Sequence, residues 1–186
     1  MPLAGAETEL SSLPLAQVQV GWGKAMANRS IVDQPLAVGG VVYPKGLGLH
    51  PPGWLALKLD GQARVFRCRA AIDDETGGKG TAELKFYGSH WRLLHRTGIL
   101  RGGQPAVPIE IDLAGEKQLV IEMTVGGDDY GWDHIDLLDP VVVHDGAAPT
   151  ISGLPPGREV ADEIDRVAAG KDVRLARLIQ ELRQQS

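Results

Sequence analysis

Short segments in which hydrophobic and polar residues alternate make up most of the chain. In residues 54–60 three leucines lie on one face, with Lys58 and Asp60 on the other, and in residues 64–72 a row of apolar positions alternates with arginines. A period of two places successive side chains on opposite faces, which is typical of a β-strand with one buried face. The Asp60-Gly61 dipeptide between the two segments favours a tight turn, so the pair predicts an antiparallel hairpin.

The same alternation recurs along the chain, and glycine-rich turns separate the segments. Further strands are predicted at residues 81–88, 107–113 and 118–125, with shorter candidates at 16–20, 36–43, 91–96 and 139–144. Many short strands with one polar face each predict an all-β fold, an antiparallel β-sandwich of the jelly-roll type. A helical period appears only after residue 157, so we expect helix to be confined to a short C-terminal segment.

These patterns divide the chain into four parts. We expect an N-terminal tail (1–15), a jelly-roll domain (16–144), a linker rich in proline and glycine (145–157) and a helical extension (158–186). The extension carries an apolar stripe formed by Val160, Ile164, Val167, Leu175, Leu178, Ile179 and Leu182. Helices this short are not stable alone, so the stripe is expected to pack on the sandwich or to mediate self-association.

Composition excludes several classes of partner and site. The net charge of -5, from 19 basic and 24 acidic residues, argues against nucleic acid or an anionic membrane as the main partner. Cys68 is the only cysteine, which excludes an internal disulfide and a cysteine-based zinc site. No stretch approaches the roughly 18 apolar residues of a membrane-spanning helix. Residues 1–12 do not have the basic and apolar regions of a secretory signal peptide.

The loop at residues 126–136 combines two aromatic residues with several glycines and acids. Tyr130 and Trp132 offer ring faces on which the C–H groups of a sugar could stack, while Asp133 could accept hydrogen bonds from hydroxyl groups. The alternative is that Trp132 closes the end of the sandwich as a core residue. The other tryptophans are interpreted as structural: Trp54 and Trp91 on strands, and Trp22 as a core residue near the first strand.

Two histidines on separate loops have two interpretations. His50 and His134 could form hydrogen bonds with sugar hydroxyls, and His134 directly follows the aromatic residues of its loop. The favoured alternative is that each is held by a carboxylate or a backbone group and joins the loops together, because buried polar side chains need partners.

Acidic residues cluster in two loops, one of which contains Asp73 and Asp74. Calcium prefers six to eight oxygen ligands from carboxylates and loop carbonyls, so these residues are candidates for a structural calcium site. Solvated acidic loops are the alternative. The chain has no nucleophile elbow, P-loop or paired zinc histidines, and we therefore expect a protein that is not an enzyme.

Five motifs in order give the chain a family resemblance. They are V-G-W-G at residues 20–23, G-G-x-x-Y-x-K-G-L-G-x-H at 39–50, the apolar Phe66, I-D-D-E at 72–75 and D-H-x-D at 133–136. In this order they resemble the NPCBM family of carbohydrate-binding modules, which are galactose-binding-like jelly rolls. The resemblance covers residues 18 to about 143.

The resemblance implies a module that binds a galactose-like sugar or glycan through loops at one end of the sandwich. It also implies an extracellular or periplasmic location and a place within a larger protein. Leu137 stands where the family usually has a tryptophan, and this departure favours an alternative: an interaction or structural domain that has lost the sugar site. The loop with Tyr130, Trp132 and His134 favours sugar binding.

Overall fold

The computed structural model describes residues 5–127 and 129–158. Thirteen strands lie in this part of the chain, joined by loops and three single-turn 3₁₀ helices (Leu10–Ser12, Asp74–Thr76 and Ser89–Trp91). The strands are β1 (Ala6–Glu9), β2 (Met26–Ala27), β3 (Leu36–Val38), β4 (Val41–Tyr43), β5 (Gly46–Leu49), β6 (Gly53–Lys58), β7 (Ala63–Ile72), β8 (Thr81–Tyr87), β9 (Leu93–Arg101), β10 (Val107–Asp112), β11 (Gln118–Val125), β12 (Ile135–His144) and β13 (Thr150–Ser152).

Two antiparallel sheets pack face to face. The first sheet has the order β10-β7-β12-β5-β2, with β1 also paired to β12, and the second has the order β13-β6-β11-β8-β9. A separate hairpin of β3 and β4 covers part of the outer face of the first sheet, where its Leu36 and Val38 pack against Leu138 and Ala71. The predicted all-β, antiparallel sandwich is therefore confirmed.

The core between the sheets consists of the side chains that the period of two marked as apolar. Phe66 from the first sheet and Phe86 from the second are fully buried, with ring centroids 5.9 Å apart. Leucines of β6 and the apolar residues of β11 complete the same cluster. Burial of these alternating positions is the main source of stabilisation, since each fully buried large aliphatic side chain contributes about 1.5–3 kcal/mol.

The predicted hairpin of residues 54–60 and 64–72 is wrong. Strand β6 pairs with β11 and β13 in the second sheet, whereas β7 pairs with β10 and β12 in the first. The Asp60-Gly61 turn therefore carries the chain from one sheet to the other. The prediction failed because alternation identifies a strand's buried face but not its hydrogen-bonding partner.

The sandwich extends beyond the predicted boundaries at both ends. Strand β1 lies in the expected tail and β13 lies in the expected linker, each at the edge of a sheet. Conversely, residues 16–20 contribute only a single bridge between Gln19 and Trp54. The predicted helical extension of residues 158–186 lies, apart from Arg158, outside the described residues, and so does its apolar stripe. Within residues 5–127 and 129–158, no helix is both long enough and apolar enough to span a bilayer.

Strand register brings three long loops to one end of the sandwich. Ile135, the first residue of β12, lies opposite Leu49 at the end of β5 and Ile72 at the end of β7. The segments after β5, after β7 and before β12 therefore emerge side by side. We call this the upper end of the sandwich.

Candidate functional site

A cavity of about 400 Å³ opens at the upper end, where aromatic and imidazole rings form most of its wall. It is lined by Trp22, Val32, His50, Tyr130, Gly131, Trp132 and His134. Four of the five predicted carbohydrate-binding residues therefore come together here. The seven lining residues include no carboxylate.

Asp133 is the predicted site residue that does not reach the cavity. It is fully buried, and its Oδ1 accepts a hydrogen bond of 2.8 Å from the backbone N–H of Thr81. The structure therefore does not place Asp133 among the cavity residues with which it was predicted to act. Asp133 instead fixes the loop that carries Tyr130 and Trp132, because its carboxylate binds the first residue of β8.

Trp132 projects from this loop and is not a core plug, since 51% of its surface is exposed. Its backbone has φ of +69°, and its carbonyl approaches Gly80 so closely that a Cβ there would lie 2.0 Å from the oxygen. The Lys79 ammonium group lies 4.7 Å from the centre of the indole ring, a distance that suits a cation–π contact. Trp132 therefore presents a ring whose position is set by the segment before β8.

Trp22 was predicted to be a core residue, and this is wrong. Its side chain is 48% exposed, and its ring lies nearly parallel to that of His134, with 5.9 Å between centroids and 12° between planes. It forms a second aromatic wall of the cavity. The glycines on both sides of Trp22, like those near Trp132, were the sequence signal for a loop position.

Tyr130 connects two walls of the cavity. Its ring centroid lies 4.9 Å from that of His50, and its hydroxyl donates to the backbone carbonyl of Gly21, beside Trp22. The ring itself is 44% exposed. One tyrosine thus ties the loop before β12 to the segment that carries Trp22.

His50 is the most buried lining side chain, with 3% of its surface exposed. Its Nδ1 lies 2.6 Å from the carbonyl oxygen of Pro51. Burial lowers the pKa of His50 below 6.5, because the charged imidazolium loses its hydration; the bond to Pro51 opposes this shift, and the nearby His134 adds to it. His50 is therefore neutral at pH 7.

His134 is held by a carboxylate rather than by the backbone. Its Nδ1 lies 2.7 Å from Oε1 of Glu75, and Oε2 of Glu75 accepts a hydrogen bond of 2.7 Å from the hydroxyl of Ser30. These contacts match the favoured interpretation of both histidines, in which a partner holds each ring. The same rings also line the cavity, so the two interpretations are not exclusive.

Asp73 and Asp74, the candidate calcium ligands, accept hydrogen bonds from backbone amides in this structure, and the calcium site stays a prediction. Asp73 accepts hydrogen bonds from the N–H groups of Glu75 and Ala37, at 2.7 and 3.1 Å. Asp74 accepts from the two glycines of the β3–β4 turn, at 2.9 and 2.7 Å. Among residues 5–127 and 129–158, no group of three or more His, Cys, Asp or Glu side chains is arranged to hold a metal ion.

Asp136 lies beneath this loop, with no exposed surface. Burial raises its pKa to about 10, and a hydrogen bond to Asp73 and repulsion from the Asp73 carboxylate act in the same direction. An ionised Asp136 would have two buried oxygens without a donor, whereas a neutral carboxyl group can donate its proton to Asp73. Asp136 is therefore protonated at neutral pH.

Comparison with known proteins identifies the family. The family model described as "NPCBM/NEW2 domain" matches residues 6–143. The chain belongs to the NPCBM/NEW2 family. This match confirms the resemblance read from the five motifs and includes β1, which the predicted domain boundary had excluded. The domain is thus a carbohydrate-binding module of a kind found within larger proteins.

Solved structures agree with this assignment at the level of the fold. The CBM51 module of GH95 from Clostridium perfringens, solved with methyl-galactose, has a TM-score of 0.67 and 22% identity, covering 74% of this chain and 100% of that one. CBM51-2 of ZmpB from the same organism, solved with GlcNAc and with INT domains, has a TM-score of 0.67 and 19% identity, covering 88% of this chain and 35% of that one.

Curated relatives of this NPCBM/NEW2 chain are much longer proteins. Alpha-1,3-galactosidase B of Akkermansia muciniphila is 30% identical over 121 residues, which are 63% of this chain and 15% of that protein. A protein of Renibacterium salmoninarum is 26% identical over 166 residues, which are 81% of this chain and 11% of its own length. The chain therefore corresponds to a small part of each relative.

Proposed function

We propose that this domain is a non-catalytic module that holds a galactose-like sugar of a glycan in the cavity at its upper end. The observation that carries the proposal is the composition of the cavity wall. Three exposed aromatic rings (Trp22, Tyr130 and Trp132) surround two imidazoles that can form hydrogen bonds.

The chemistry of this wall suits a neutral sugar. A pyranose ring has apolar C–H faces, which pack on indole and phenol rings, and hydroxyl groups at its edge, which need hydrogen-bonding partners. Small-molecule sites combine the same two elements: a mostly apolar wall and a few fixed polar groups. A volume of about 400 Å³ is sufficient for one or two sugar units.

The relatives support the choice of sugar. A structure of the same fold contains methyl-galactose, and a relative at 30% identity is named for a galactosidase activity. Another structure of this fold contains GlcNAc, so the fold accepts more than one sugar. Galactose and its derivatives are therefore the first ligands to test.

Leu137 does not argue against a sugar site. This residue, which replaces the tryptophan usual in the family, is fully buried in the core between the sheets. Leu137 points into the core rather than into the cavity, so a tryptophan at this position would not have been part of the cavity wall.

The arrangement of carboxylates supports a role in binding rather than catalysis. Glycosidases place two carboxyl groups on either side of the scissile bond. Here the nearby acids are engaged in other contacts: Glu75 with His134 and Ser30, and Asp73 and Asp74 with backbone amides.

The module would act outside the cytoplasm, where it would keep the larger protein close to glycans.

A glycan array followed by calorimetry with methyl galactoside tests this proposal. Trp132→Ala should weaken binding by about tenfold or more and leave the melting temperature nearly unchanged, because half of this side chain is already exposed. Trp54→Ala is the matched control: Trp54 packs on Ala56 and Val120 outside the cavity. It should lower the melting temperature and leave the affinity unchanged.

Absence of binding to any glycan on the array would reject the sugar-binding function. The alternative of a protein-interaction domain would then replace it. The exposed Val41 and Val42 of the β3–β4 hairpin favour that alternative, since paired exposed valines on a protruding hairpin are a plausible contact surface.

A further inference from the structure

The two imidazoles in the cavity wall share one arrangement: each has its Nδ1 engaged with the protein. The partner of His50 is the carbonyl oxygen of Pro51. A carbonyl oxygen can only accept a hydrogen bond, so Nδ1 of His50 must carry a proton. In the neutral ring Nε2 is then unprotonated and can only accept.

The partner of His134 leads to the same tautomer. Ser30 Oγ accepts a hydrogen bond from the backbone N–H of Gln34 at 3.1 Å, and donates its own proton to Oε2 of Glu75. Glu75 therefore acts as an acceptor at this oxygen. With this carboxylate accepting at Oε1 as well, the proton between Glu75 and His134 belongs to Nδ1 of the imidazole.

His144, at the other end of β12, shows what a fully satisfied histidine looks like in this protein. Its Nδ1 lies 2.9 Å from the carbonyl oxygen of Gly146, and its Nε2 lies 2.9 Å from the hydroxyl of Thr8. Among residues 5–127 and 129–158, by contrast, Nε2 of His50 and Nε2 of His134 have no hydrogen-bonding partner in the protein. Both of these rings line the cavity, and their centroids are 5.7 Å apart.

We propose that the cavity presents two imidazole acceptors, Nε2 of His50 and Nε2 of His134, and selects a saccharide that offers two hydroxyl donors to them. Glu75 is the positioning residue that sets the tautomer of His134. This inference rests on the proposed function and names the chemistry of the recognised sugar edge. Groups that cannot donate, such as a carboxylate, a sulfate ester or a methyl ether, are rejected at these two positions, because the bound sugar would then cover an acceptor and leave it without a partner.

The tautomers are tested without ligand, by long-range ¹⁵N–¹H correlation spectra of the 186-residue chain. We expect Nδ1–H and an unprotonated Nε2 for His50 and His134 at pH 7.5, with His144 as the internal reference for the same tautomer. Glu75→Gln introduces an amide that can donate to Nδ1, so His134 should move toward the Nε2–H tautomer while His50 and His144 stay unchanged. Glu110→Gln, on an exposed site of β10, is the matched control.

Selectivity is tested by calorimetry with methyl galactoside and its four monodeoxy derivatives. Two of the derivatives should each bind about tenfold or more weakly, the loss expected when a buried acceptor is unpaired. Glu75→Gln should weaken the binding of methyl galactoside to a similar extent. It should not further weaken the binding of the derivative that lacks the hydroxyl facing His134.

Two results would overturn the inference: an Nε2–H signal from either histidine in the wild-type spectra, or a derivative series in which fewer than two hydroxyls matter. If methyl galactoside does not bind the wild-type protein at all, the proposed choice of galactose as the ligand is wrong, and the tautomers are a separate question. The spectra of the free protein then decide the tautomers on their own.

Discussion

Replacement of the buried Asp136 by asparagine should remove a specific pH dependence from the stability of the domain. Asp136 has no exposed surface and a pKa raised to about 10 by burial and by Asp73. In the unfolded chain its pKa returns to about 3.9. Asparagine has the same shape, and its amide N–H can take over the donation to Asp73 without titrating.

The sign and size of the effect follow from proton counting. Between these two pKa values the folded state binds one proton more than the unfolded state, so the unfolding free energy falls as the pH rises. One proton corresponds to about 1.4 kcal/mol per pH unit. Asp136→Asn should therefore gain stability relative to the wild type by about 3 kcal/mol between pH 5 and pH 7.

Urea unfolding at pH 5, 6, 7 and 8 measures this difference. The contributions of other titrating groups to the unfolding free energy cancel when the two proteins are compared at the same pH. Asp112→Asn is the matched control, because Asp112 is exposed and its Oδ1 accepts from the N–H of Ala114, which an asparagine oxygen can also do. Its difference from the wild type should not change with pH. A constant difference for Asp136→Asn would refute the reasoning, since Asp136 would then titrate alike in both states.

Three further outcomes are expected. Gly80→Ala should destabilise the domain by about 1–3 kcal/mol more than Gly78→Ala in urea unfolding, because both glycines have positive φ but only at Gly80 would a Cβ meet the Trp132 carbonyl; equal losses would refute this. Calorimetric affinity for methyl galactoside should fall as the pH is lowered from 7 to 4.5, because His50, whose pKa is lowered by burial, becomes protonated in acid and can no longer accept; a flat profile over this range would contradict it. Truncation after Ala148 deletes β13 and should lower the melting temperature by roughly 5 °C, and an unchanged value would contradict it.

The interior of the sandwich could be predicted from the sequence, and the pairing of its strands could not. Alternation in residues 64–72 identified the buried face of β7 correctly, because a half-buried strand requires that pattern. The partners of β7 are distant in sequence, and nothing local to the segment specifies them. Strands β1 and β13 were missed because they are short edge strands, whose side chains are mostly exposed and need no apolar alternation.

Most of the cavity could be predicted from the residue types in glycine-flanked loops. The burial of individual side chains could not be predicted. Tyr130, Trp132 and His134 were predicted together because aromatic residues in a polar loop have little reason to be there for packing. Trp22 has the same surroundings and was assigned to the core, although its flanking glycines pointed to a loop. Asp133 was predicted to accept from sugar hydroxyls, and only the three-dimensional structure shows that its carboxylate accepts from the backbone of Thr81.

The bond from the Tyr130 hydroxyl to the Gly21 carbonyl has a consequence for the kinetics of binding. Because this bond joins two loops before any ligand arrives, association needs no slow closure step and should be fast, with a short residence time for a single sugar. Strong retention would then require several modules or several sugars, since linked sites raise the effective concentration of the second binding event. Such a domain would be retained much longer on a dense glycan surface than on a sparse one, although it would bind a single isolated sugar only briefly.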